Sequence, residues 1–242
     1  SARFHTWSSA EHAAHELFSL PPEISVISNV KENGKPIGAL GDGEVAWHSD
    51  FSFKERPTAA RMLNALELPG PGEGGSTAFL NTHAAWDTLP DALKRRIAGL
   101  TIKQDNTYDT AGQLRAGAVP GDDVRKTQGP SHPIISTHPE SGANCLFLGR
   151  RHGAYVNGLD VAESEALLDE LWAHCTQPRF VYTHEWSVGD VVIWDNRSVL
   201  HRRGAFNPAR RRVLYAVQVE GHRPVEAPDA LQRPAHSRYR TV

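Results

Sequence analysis

Short runs in which apolar and polar residues alternate dominate this chain. Ile24, Val26, Ile27 and Val30, interleaved with Ser25, Ser28 and Asn29, predict a strand over 24–30, and Asn33-Gly34 just beyond it is a tight-turn signal. Met62, Leu63, Ala65, Leu66 and Leu68 predict a strand over 59–68, followed by a Pro/Gly turn at 69–75 and an extended stretch at 76–80. Further strands are expected at 134–137 and 144–148, paired around Glu140-Ser141-Gly142, and at 180–184, 191–194 and 212–219. The unbroken apolar run 191–194 reads as a buried strand.

Helical spacing is rarer. Val161, Leu168, Leu171, Trp172 and Cys175 make an apolar stripe over 161–175, with Pro178 marking its end. Residues 81–89 and 90–100 predict two more helices. Pro90 suits the start of the second, with Asp91 in its first turn and Lys94, Arg95 and Arg96 as a solvated face towards its end. Residues 9–18 have mixed helical character. Residues 38–43 are glycine-rich and predict a flexible border to the segment after them; the Lys-Ser/Thr ending of a phosphate loop is absent. Residues 106–128 are polar and aperiodic, and a loop this long predicts an active-site lid. The pattern as a whole predicts a mostly β chain with flanking helices, of α+β class, without repeats or linkers, in a single domain over 1–242.

Composition narrows the possible functions. A net charge of −2 gives nucleic acid no electrostatic footprint, and no apolar stretch approaches membrane-spanning length. Two cysteines, Cys145 and Cys175, cannot build a disulfide framework, so a reducing, cytoplasmic setting is the expectation. The partner expected is a small molecule.

The chemistry gathers in His48-Ser49-Asp50, His201 and Arg212. In an extended segment residues i and i+2 point to one side, so an extended 47–51 lets His48 and Asp50 grip a metal together. A third ligand, His201, completes the set that holds iron(II) on one face and leaves the opposite positions open. Arg212 opens an alternating strand, where a buried guanidinium needs an anion and suits a carboxylate. Each residue also has a plainer reading. His-x-Asp is common in surface turns, His201 fits a core histidine, Arg212 fits an internal ion pair, and Thr77 fits an ordinary strand threonine. His132 and His138 are expected to be structural, and Asp195, Asn196 and Arg197 to brace the fold.

Several separated motifs carry a family resemblance. They are Trp47-His48-Ser49-Asp50, Gly74-Gly75-Ser76-Thr77, Ala85 to Pro90, His132-Pro133, Thr137 to Gly142, and Trp194-Asp195-Asn196-Arg197 through His201 to Arg212. In this order they resemble the taurine dioxygenase and 2,4-dichlorophenoxyacetate dioxygenase family of Fe(II)/2-oxoglutarate-dependent oxygenases. The resemblance implies a double-stranded β-helix (jelly-roll) core, with His48, Asp50 and His201 on iron, and with Arg212 and Thr77 on the far carboxylate of 2-oxoglutarate. Phe51 and His152 fall where family members line the substrate pocket. It implies O2 as the second co-substrate, release of succinate and CO2, and hydroxylation of a small carboxylate-bearing metabolite or xenobiotic. The retained Asp50 points to hydroxylation, because related halogenases have a small residue there.

Ala216 stands where sulfonate-binding members carry a second arginine; Arg150, Arg151 and His152 are the candidates to meet an anionic substrate instead. Relatives commonly form dimers or tetramers, so a homo-oligomer is expected. The resemblance also suggests that the family's N-terminal strand and helix are lacking. Two rival readings use the same residues: a zinc-dependent hydrolase with a two-His, one-Asp site, and a ligand-binding barrel without turnover.

Overall fold

The alternating runs become strands. In chain order they are β1 (Ser25–Ser28), β2 (Lys31–Glu32), β3 (Lys35–Pro36), β4 (Ala39–Leu40), β5 (Thr58–Glu67), β6 (Thr77–Asn81), β7 (Thr101–Lys103), β8 (Ser131–Pro133), β9 (Ile135–Thr137), β10 (Asn144–Leu146), β11 (Tyr155–Val156), β12 (Val181–His184), β13 (Val191–Asp195), β14 (Val199–Arg203) and β15 (Val213–Glu220). Among the described residues three α-helices lie between them: α1 (Thr82–Asp87), α2 (Asp91–Ile97) and α3 (Val161–Cys175). The computed structural model describes residues 20–41, 45–110, 112–149, 153–233 and 235, so the helix expected at 9–18 lies outside the described residues.

Two sheets position the site. The larger has the order β13-β5-β15-β1-β4, and a second has the order β12-β6-β14. Period-two alternation puts Leu63 and Ala65 of β5 on the face shared with Trp194, Leu214, Ala216 and Ile27, all buried. These residues pack against Phe79 of β6 and Val199 of β14, so the two sheets meet across an apolar layer. The largest cluster surrounds α1 and α3 and includes Leu80, Trp86, Ile135, Leu146, Leu167 and Leu171. Burying each such leucine or isoleucine contributes about 1.5–3 kcal/mol. A capping box starts α3: Asp160 accepts from the Glu163 N–H at 2.7 Å, and the Glu163 carboxylate accepts from the Asp160 N–H at 3.4 Å.

Three local expectations change. Val191 and Ile193 are 56% and 67% exposed, because β13 is an edge strand with one wet face; only Trp194 in that run is buried. On α3, Leu167 joins the core, while Val161 at the first position is exposed and Trp172 is half-buried. The segment 47–51 is not a strand: His48 makes an isolated bridge, a turn begins at Asp50, and Phe51 has φ 52°. β7, β8 and β11 form a small sheet of their own, in strands too short to show a period. The described part of 106–128 is irregular apart from an isolated bridge between Tyr108 and Leu114 and a 3-10 turn at Val124–Lys126. It runs beside the His48 segment, where the Ala46 N–H donates to the Thr110 carbonyl and the Arg115 guanidinium lies 5.7 Å from the Phe53 ring. Among the described residues, no helix is long and apolar enough to cross a membrane.

Candidate metal centre

His48 and His201 stand directly opposite each other. The His48 N–H donates to the His201 carbonyl at 3.0 Å, and the His201 N–H donates to the His48 carbonyl at 2.9 Å. Opposed residues of an antiparallel pair project to one side, so the rings meet with centroids 4.2 Å apart. The turn after Ser49 then brings in Asp50. Its Oδ1 lies 3.5 Å from His48 Nε2 and its Oδ2 3.7 Å from His201 Nε2. One ligand atom from each of the three buried residues lies within 4.8 Å of the others, and no other such cluster occurs among the described residues. His48 Nδ1 sits 2.8 Å from the Ala46 carbonyl, which can only accept. Nδ1 therefore carries a proton, and Nε2 is the nitrogen that faces Asp50.

Asn196 fixes the Asp50 backbone. Its side-chain carbonyl accepts from the Asp50 N–H at 2.9 Å, and its amide donates to the carbonyls of Asp50 and Thr58 at 3.1 and 2.9 Å. The Ser49 hydroxyl adds a bond to the Asn196 carbonyl at 2.9 Å. Arg61, from the middle of β5, donates from Nη1 to Asp50 Oδ2 at 2.6 Å. Burial alone would push the Asp50 carboxyl up. Arg61, His201 and His48 outweigh it and hold the carboxyl well below the usual range, so Asp50 is an anion ready to ligate.

Arg212 and Thr77 lie beside this cluster, lining one narrow cavity with His48, His201, Arg61, Arg203 and Trp194. Arg212 is 2% exposed. Its Nη2 donates to the Gly75 carbonyl at 3.1 Å, while its Nε is buried without a hydrogen-bond partner. Burial, and then the neighbouring Arg203, push its guanidinium down to about 9. The two guanidiniums stand 5.8 and 5.2 Å from the Phe206 ring. Gly74 and Gly75, at φ 85° and 90°, let the chain pass close to Ala205 and Arg212; a Cβ on Gly75 would meet Arg212 Nε at 3.3 Å. The Thr77 hydroxyl accepts the Trp186 indole N–H at 2.9 Å, which leaves its own hydrogen to donate elsewhere.

The remaining candidates are less central. Phe51 is half-buried beside Asp50, edge-on to Phe53 at 5.9 Å, with Lys54 Nζ 3.8 Å from its ring centre. Arg150, Arg151 and His152 lie outside the described residues. Ala216 is fully buried in the apolar layer. Reading the sequence missed Arg61, Trp186 and Arg203. The first had a signal, a lone arginine among the apolar positions at the centre of a strand, and the other two had none.

Two imidazoles and a carboxylate of this geometry make the donor set of mononuclear iron(II) oxygenases. Residues 2–218 match the taurine catabolism dioxygenase TauD, TfdA family. The chain is 38% identical over 209 residues to the alpha-ketoglutarate-dependent 2,4-dichlorophenoxyacetate dioxygenase of Burkholderia sp. (strain RASC), covering 83% of this chain and 68% of that one. A solved taurine dioxygenase from Burkholderia xenovorans superposes with TM-score 0.65 at 27% identity, over 86% of this chain and 65% of that one. The structure of AAD-2 in complex with Mn(II) and N-oxalylglycine superposes with TM-score 0.69 at 30% identity, over 84% and 76%. The chain thus spans about two thirds to three quarters of the length of these relatives. It belongs to the TauD/TfdA family, and with it to the alpha-ketoglutarate-dependent dioxygenases. Fe(II), 2-oxoglutarate and O2 are the cofactor and co-substrates of that class.

Proposed function

We propose that this chain hydroxylates a small, carboxylate-bearing organic molecule, a metabolite or a xenobiotic, while converting 2-oxoglutarate to succinate and CO2. The observation that carries the reading is the convergence of the buried His48, Asp50 and His201 within 4.8 Å, with His48 and His201 lining a narrow cavity that Arg212 also lines. In this reading the three residues hold iron(II), which when bound supplies the oxygen activation that no side chain can. Arg212 and the Thr77 hydroxyl seat the far carboxylate of 2-oxoglutarate. Arg212 has a buried donor to give, and Thr77 has its acceptor side occupied by Trp186 and so donates. The cavity is narrow and three arginines line it, which gives a dicarboxylate a positively charged wall. Phe51 borders the substrate and excludes water. The facing of β13-β5-β15-β1-β4 on β12-β6-β14 supports a double-stranded β-helix core in one domain. Two free, buried cysteines support a cytoplasmic setting. The relative that acts on 2,4-dichlorophenoxyacetate supports a carboxylate on the substrate.

The test is an anaerobic titration with Fe(II) and 2-oxoglutarate, read by the visible absorption of the chelate, followed by a screen of aryl and alkyl carboxylates for compounds that perturb it. Hits should then drive succinate formation that needs O2 and is lost in His48→Ala. Turnover of those compounds that persists without O2 and 2-oxoglutarate would overturn the proposal in favour of a hydrolase.

A further inference from the structure

We propose that Arg61 is a positioning residue that restricts Asp50 to one metal-facing oxygen and so keeps a place at the metal for the co-substrate. This rests on the iron and 2-oxoglutarate reading given above. Arg61 pairs in register with Trp194 on one neighbouring strand and Gln218 on the other, and its side chain lies on the inner face with Leu63. That side chain is 8% exposed. Its Nη1 is 2.6 Å from Asp50 Oδ2, the distance of a charge-assisted bond, and its Nε is buried without a hydrogen-bond partner. The other oxygen, Oδ1, faces His48 Nε2 at 3.5 Å. The two oxygens of Asp50 are thereby made unequal before any ligand arrives.

This inequality matters to an open centre. A carboxylate with both oxygens available takes a cation through one or both. An iron(II) ion held by two imidazoles and one carboxylate oxygen would keep open positions for a 2-oxo acid and O2, and a second oxygen from Asp50 would take one of them. A guanidinium that occupies Oδ2 removes that option, and Asn196, by locking the Asp50 backbone, stops the carboxylate from turning away from it. The ion pair also has a purely structural interpretation, as a buried charge neutralised inside a sheet. The two interpretations differ in what the metal-loaded protein does.

The experiment compares wild type with Arg61→Met, Arg61→Lys and Arg61→Gln. Mn(II) affinity is measured by calorimetry, and 2-oxoglutarate affinity by anaerobic titration of the Fe(II)-loaded protein. Arg61→Met should bind Mn(II) at least as tightly as wild type, because the second oxygen is released to the ion, yet lose about ten-fold or more in 2-oxoglutarate affinity. Arg61→Lys, long enough to donate to Oδ2, should stay within about three-fold of wild type. Arg61→Gln is too short to reach that oxygen and should behave as Arg61→Met does, so it serves should the Met variant not fold. A Met or Gln variant with wild-type 2-oxoglutarate affinity, a folded one that no longer binds Mn(II), or a Lys variant ten-fold weakened would each overturn the inference. A wild-type protein that binds neither Mn(II) nor 2-oxoglutarate would instead defeat the functional reading itself.

Discussion

Arg212 is an expensive residue to bury unless something negative comes to it. Its guanidinium makes one hydrogen bond to a carbonyl, to Gly75, and no carboxylate among the described residues is paired with it. A hydrogen bond to a charged group contributes about 1.5–3 kcal/mol, so Arg212→Met should weaken 2-oxoglutarate binding by about ten- to 150-fold. Thr77 gives one bond to the same carboxylate, at the low end of that range, so Thr77→Val should weaken binding by about ten-fold. The valine variant carries a second signature. It leaves the indole N–H of the half-buried Trp186 without its acceptor, which costs about 1 kcal/mol of stability, whereas Thr77→Ser keeps both bonds. Titration of the Fe(II)-loaded protein with 2-oxoglutarate and thermal melts check the set. A larger binding loss at Thr77 than at Arg212 would reverse the assigned roles.

At the scale of elements, alternation is informative in proportion to its length. β5 and β15 are the longest strands and were expected to within a residue, because ten and eight alternating positions outweigh chance. The hairpin β9–β10 was legible for a different reason, the turn chemistry between its strands. β13 shows the limit. Four apolar residues in a row indicate a strand but not its place in the sheet, and an edge strand can leave Val191 and Ile193 in water. β7, β8 and β11 have three, three and two residues, which is less than a period can reveal. The contrast between edge and centre is measurable. Ile193→Thr should change stability by no more than about 0.5 kcal/mol, while Leu80→Ala in the central strand β6, fully buried, should cost about 2–5 kcal/mol. Urea unfolding reads both, and equal costs would place Ile193 in a core.

Across the whole molecule, the site was legible where the chemistry resides in residue types and illegible where it depends on proximity. His48, Asp50, His201 and Arg212 announce themselves by spacing and family pattern. Arg61 does not, since only the pairing of β5 with β13 sets its guanidinium against Asp50. The same holds for the clamp that closes the end of β13. Asp195 accepts from Arg197 at 2.6 Å and pairs with His138 at 2.8 Å, and Arg197 reaches on to Glu140 at 2.7 Å. This ties the β9–β10 turn to the strand end next to Asn196, which in turn holds Asp50. Burial raises the Asp195 carboxyl, but the bonds from Arg197 and His138 outweigh it and leave it well below the usual range. A carboxyl whose folded-state pKa is depressed contributes stability that is fully present above its unfolded value, about 3.9, and is lost as pH falls through the folded one. Melts of the metal-free protein should therefore fall steeply below about pH 4, and Asp195→Asn, less stable at pH 7, should show a shallower acid limb. Because Asn196 follows directly, the variant should also bind Mn(II) more weakly at pH 7. If wild type and Asp195→Asn lose the same melting temperature between pH 7 and pH 3, the clamp contributes nothing to acid stability; if Mn(II) affinity is also unchanged, the β13 end and the metal centre are mechanically independent.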